Sequence, residues 1–139
     1  MVIQRWQTVL LALAVIVMAI FCSTPFATVS ATAEQVESVY LKDAPVLMIV
    51  SILIGVVLFL SIFMYKDLKR QMTMTLVSMV LLVAAIVTGI FIVYYAMPDA
   101  QLVILGGVTL LVVTFILALG AYTMMNRDRK LLDSYNRLR

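Results

Sequence analysis

Apolar and polar residues are segregated along this chain into long blocks rather than interleaved. Four blocks, roughly Trp6 to Phe26, Val46 to Tyr65, Met74 to Met97 and Leu102 to Met125, contain no Asp, Glu, Lys, Arg or His. A bilayer core takes ~20 helical residues at 1.5 Å rise each, so every block is long enough to cross. The runs show no period-two alternation, which sets aside a membrane barrel, and lipid then leaves helices to satisfy the backbone internally. The pattern predicts an all-α integral membrane protein, a four-transmembrane-helix bundle, with residues 1–139 as one domain.

The fourth block shows how strongly lipid is favoured. Between Leu102 and Ala121, 13 of 20 residues are Leu, Ile, Val or Phe. Each contributes about −0.3 to −0.6 kcal/mol on an insertion scale, and no charge at roughly +2.5 to +3.5 kcal/mol opposes them. The 65% hydrophobic content and 12% charge agree, since soluble domains carry about 25% charged residues.

Charge then sets the orientation. Arg5 lies before the first block; Lys66, Lys69 and Arg70 lie between the second and third; Arg127, Arg129, Lys130, Arg137 and Arg139 follow the fourth. The opposite side holds only Lys42, beside Glu34, Glu37, Asp43 and Asp99. The positive-inside rule therefore places both termini and the middle link in the cytoplasm, an N-in/C-in arrangement. Trp6, Tyr65 and Tyr122 fall near one set of ends and Tyr40, Tyr94 and Tyr95 near the other, as interfacial anchors should. The net charge of +3 does not indicate a nucleic-acid partner, because the basic residues flank spans rather than forming a folded basic face.

Ionisable residues inside spans usually mark ion paths, proton relays and substrate sites, and these spans have none. The chain has no histidine and one cysteine, Cys22, so no His base, His-ligated metal or intramolecular disulfide is available. Glu34 and Glu37 are three apart, on one face of a short helix expected over Glu34 to Leu41 and ended by Lys42-Asp43-Ala44-Pro45. With no third convergent group, they read as solvated acids rather than catalysts. No enzyme, cofactor or metal centre is expected.

Small residues let helices approach closely in lipid, and Ser51-x-x-x-Gly55, Ala85-x-x-x-Gly89, Gly106-Gly107 and Gly120 are the candidate packing positions. They serve a subunit interface or a lipid slot in one reading and ordinary bundle packing in the other. Thr88, Thr109 and Thr114 can bond back to their own helix carbonyls. The links Lys66–Thr73 and Pro98-Asp99-Ala100-Gln101 are short enough to make consecutive helices antiparallel neighbours.

The tail from Asn126 to Arg139 places Leu131, Tyr135 and Leu138 at i, i+4, i+7, with basic residues elsewhere and an Asp133–Arg137 pair at i, i+4. This is a short basic amphipathic helix. It suits anionic lipid head groups of the inner leaflet, at ~1 kcal/mol per basic residue, or a docking peptide for a cytoplasmic partner. The first block also carries secretory-signal features: Arg5, an apolar core, and small residues at Val29-Ser30-Ala31 and Ala31-Thr32-Ala33. Its apolar run exceeds the roughly 7 to 15 residues of a signal core, which favours an uncleaved anchor.

Ile3-Gln4-Arg5-Trp6-Gln7 at the start, with Leu131-Leu132-Asp133-Ser134-Tyr135-Asn136-Arg137-Leu138-Arg139 at the end, resembles a family of small bacterial four-span membrane proteins defined by domain of unknown function 4293. Val2 is inserted before the Ile-Gln-Arg run, and Asn136 stands where the family usually has Asp. The resemblance implies four spans, an uncleaved first helix and an inner-membrane location, and it brings no activity. The expected role is a non-catalytic accessory or scaffold subunit working through helix packing and the basic tail, with a membrane-protein partner or a homo-oligomer as its expected protein contact. A small homo-oligomeric transporter or channel is the alternative, and a lipid-acting enzyme is the weakest.

Overall fold

A computed structural model describes residues 2–32, 35–96, 102–104 and 106–138. Four helices form its body: α1 (Val2–Ser23), α2 (Pro45–Phe63), α3 (Leu68–Ala96) and α4 (Gly106–Arg137). All four are long and apolar enough to cross a membrane. They close a ring in which α1 packs on α2 and α4, and α3 packs on the same two. At 1.5 Å per residue α2 is ~28 Å long, close to the ~30 Å hydrocarbon thickness, whereas α4 is ~48 Å and must overhang.

The buried positions follow one rule on every helix, alternating steps of four and three. They are Gln7, Leu11, Ala14, Met18 and Phe21 on α1, and Leu47, Ser51, Ile54, Leu58 and Ser61 on α2. On α3 they include Gln71, Thr75, Ser78, Leu82, Ala85 and Gly89; on α4 they run Gly107, Leu111, Thr114, Ala118, Ala121, Met125 and Asp128. A seven-residue repeat keeps one seam facing its neighbours, the geometry of left-handed bundles. Many of these seam residues are small or polar, while large side chains such as Ile49, Phe59, Val80, Phe91 and Ile116 point outward. A contiguous apolar surface of this kind is foreign to soluble monomers, and lipid is the solvent that suits it.

The hydroxyls inside the seam are satisfied locally. Ser51 Oγ donates to Leu47 O at 2.7 Å and Thr114 Oγ1 to Leu110 O at 2.9 Å. Thr88 and Thr109 bond back in the same manner, to Ala84 O at 2.8 Å and Gly106 O at 2.6 Å, as expected.

Three expectations are corrected. The segment after α1 is a small antiparallel sheet, not a loop followed by a helix: β1 (Ala27–Thr32) pairs with β2 (Gln35–Val39), and β3 (Leu102–Ile104) adds to the other edge of β1. Glu37 sits opposite Val29 in that register, and Glu34 lies outside the described residues. The short helix fails because Val- and Thr-bearing segments here find strand partners, one of them from beyond α3. The fourth helix accordingly starts at Gly106 rather than Leu102, the first residues of its apolar block being spent on β3. The third starts earlier, at Leu68, so Lys69 and Arg70 are helical rather than in a link. The other link, 98–101, is outside the described residues. A 3-10 turn at Leu41–Asp43 leads into α2, with Pro45 in its first turn, where a missing N–H costs nothing.

Candidate functional site

The core is graded from one end of the bundle to the other. At the end next to the sheet, Phe26 is fully buried between α3 and α4. A Cβ added to Gly89 would lie 2.9 Å from the Phe26 ring, and one added to Gly107 would lie 2.7 Å from Phe26 O and 2.8 Å from its Cα. Gly107 N–H donates to Phe26 O at 2.9 Å. Two glycines thus make a seat for one aromatic plug, and the close approach fastens the start of α4 to the chain that leaves α1.

The opposite end is polar. Gln7 is 1% exposed, Gln71 2% and Asp128 9%. Gln7 Nε2 donates to the Asp128 carboxylate, joining the start of α1 to the far part of α4. Thr75 Oγ1 donates to Gln71 O at 2.9 Å, whereas Gln71 Nε2 is buried with no hydrogen-bond partner. Helical rise puts Gln71 ~27 Å below Gly89 and Asp128 ~32 Å below Gly107. Both therefore lie at one depth, near the edge of the apolar layer opposite the plug. An unpartnered buried donor costs about 1–3 kcal/mol, so this end of the core is less well satisfied than the rest.

The predicted packing residues divide. Gly89 and Gly107 make the close approaches just described, and Ser51 and Ala85 are buried in the seam. Gly120 meets Leu10 at an ordinary 3.6 Å, while Gly55 and Gly106 face open space. Ser51 and Gly55, with Val15, Met18, Cys22 and Phe59, line an apolar groove of about 300 Å³ between α1 and α2.

The tail is not a separate element. α4 continues through Arg137 without a break, its first extra turn still carrying buried Asp128, and from Arg129 to Leu138 every residue is exposed. Arg127, Arg129, Lys130 and Arg137 lie exposed on this extension, and Arg139 is outside the described residues. Asp133 and Arg137 do not pair; among the described residues the one ion pair is Arg70 Nε with Asp67 Oδ2 at 3.1 Å.

Sequence reading missed Gln7, Gln71, Asp128 and Phe26. The four-three spacing was the available signal for the first three, since it aligns them with the small residues. Among the described residues no cluster of three or more His, Cys, Asp and Glu is placed to hold a metal.

A four-span chain with these ends is what the resemblance of the termini implies, and a family model decides it: the model for Domain of unknown function (DUF4293) matches residues 3–138. The chain belongs to this family. DUF4293 thus covers the four helices but for the first residue of α1, the sheet and the whole α4 extension. No curated protein and no solved structure matches the chain.

Proposed function

We propose that this DUF4293 protein is a non-catalytic accessory or scaffold subunit of a bacterial inner membrane, with both termini in the cytoplasm. The observation that supports it is the unbroken α4. One rigid element is held in the bundle by Gly107 and Asp128 and carries Arg129, Lys130, Leu131, Leu132 and Tyr135 outside it. At ~1.5 Å per residue the exposed part reaches ~15 Å past the bundle, far enough to meet a cytoplasmic partner as well as anionic head groups. A straight continuation also carries the apolar side chains away from the bilayer plane, which favours a protein surface as their cover.

Native co-purification of the full chain and of a form ending at Asp128 tests this. The shortened form retains every buried residue of α4, so it should fold and lose its stoichiometric partners. Equal recovery of partners by both forms would remove the tail from the function, and a full chain recovered alone would remove the scaffold reading.

A small homo-oligomeric transporter is the second reading, and one observation favours it: Asp128 is a buried carboxylate that accepts from the buried Gln7 inside the bundle. Transport coupled to protons needs an ionisable group so placed. Proton-dependent substrate uptake into liposomes, lost in Asp128→Asn, would establish it over the scaffold.

A further inference from the structure

We infer that the turn between α2 and α3 is a binding site for the head group of one anionic glycerophospholipid, separate from the α4 extension. A groove of about 260 Å³ opens there, lined by Met64, Lys69, Arg70, Thr73 and Met74. Its chemistry is divided as a lipid's is. Two methionines give flexible apolar walls, two cations give the charge, and Thr73 adds a hydroxyl already oriented by its bond to Lys69 O at 3.0 Å.

Of the two charges, one is paired among the described residues and the other is not. Asp67 pairs with Arg70 and also accepts from Arg70 N–H at 3.4 Å, leaving Lys69 with no acidic partner among the described residues. Two cations in the first turn of a helix have the sign that its dipole disfavours, so the local backbone gives no reason for them. The position matches a head group: exposed Tyr65 follows the lining residue Met64 in the chain, and exposed Leu76, Val77 and Val80 continue α3 toward the apolar layer. A phosphate at Lys69 and Arg70 would leave its acyl chains on that surface. The site rests on membrane residence, not on the scaffold role.

The test is native mass spectrometry of the full-length protein released from detergent, titrated with phosphatidylglycerol or phosphatidylcholine. The expected result is one phosphatidylglycerol held in preference to phosphatidylcholine. Lys69→Gln/Arg70→Gln should bind it about thirtyfold more weakly, two residues' share at ~1 kcal/mol each. Met74→Trp, which fills the groove and keeps both charges, should weaken it as well. Arg127→Gln/Arg129→Gln/Lys130→Gln should retain it. Equal binding of both lipids, unchanged affinity in the double variant, or displacement by millimolar inorganic phosphate would overturn the site. So would a lipid-independent dimer abolished by Met74→Trp, which would make a second copy the occupant. Failure of these arms leaves the co-purification result untouched, so the two proposals fail separately.

Discussion

Replacing Gly107 by Ala should destabilise the protein although it adds a good helix former. The new Cβ would stand 2.7 Å from Phe26 O, 2.8 Å from Phe26 Cα and 3.0 Å from a Phe21 ring carbon. Two of these are backbone atoms, and the 2.9 Å hydrogen bond from Gly107 N–H holds them in place. Overpacking of a fixed contact costs about 1–3 kcal/mol, and stretching that bond threatens about 1 kcal/mol more. The propensity gain of Ala over Gly is at most about 1 kcal/mol, and smaller in the first turn. The net expectation is a loss of about 2 kcal/mol, read by far-UV circular dichroism during unfolding in mixed dodecyl maltoside and dodecyl sulfate micelles. Gly106→Ala and Gly55→Ala are the controls, since a Cβ at either meets nothing within 4 Å. Both should be neutral or stabilising by up to about 1 kcal/mol. A second comparison separates ring from backbone. Gly89→Ala collides with the Phe26 ring at 2.9 Å, so Phe26→Leu should relieve it; the same change should not rescue Gly107→Ala, whose nearest neighbours are main chain. A Gly107→Ala protein as stable as the parent, or one rescued by Phe26→Leu, would refute the seat described for the plug.

Three further outcomes follow from the same geometry. Asp128→Leu strands the buried Gln7 donor and should cost about 1–3 kcal/mol, most of it recovered in Gln7→Leu/Asp128→Leu; strictly additive losses would show that the two side chains do not interact. In right-side-out vesicles a membrane-impermeant amine reagent should modify Lys42 in a single-lysine variant and spare Lys69, and the reverse pattern would invert the orientation. Intact-mass measurement should find α1 retained, because cleavage after Ala31 or Ala33 would remove a packed helix together with most or all of the central strand β1; a mature start at Thr32 or Glu34 would contradict it.

Phe26 shows why part of the architecture was hidden. It ends the first apolar block and reads there as one more lipid-soluble residue, yet it is fully buried against Gly89 of α3 and Gly107 of α4. Gln7 reads as an interfacial polar residue until Asp128, 121 positions away, is found against it. Leu102 to Ile104 read as the first turn of a span, and only the free edge of β1 makes them a strand. Conversely, Gly89 and Gly107 were recognisable as packing positions, because small residues in spans have few other uses. Gly55 has the same local signature, but it faces open space rather than a helix.

The division has a physical cause. Transfer of a side chain from water to hydrocarbon is nearly additive and local, so the number, length and chemical class of the helices are legible residue by residue. Lipid is as apolar as the interior of the bundle, so hydrophobicity does not say which face of each helix turns inward. That choice is made by shape and hydrogen bonding between residues far apart in the chain: the seated aromatic, the glutamine–aspartate contact and the strand edge. None of these has a counterpart in a single window of sequence, and all of them appear once the four helices are brought together.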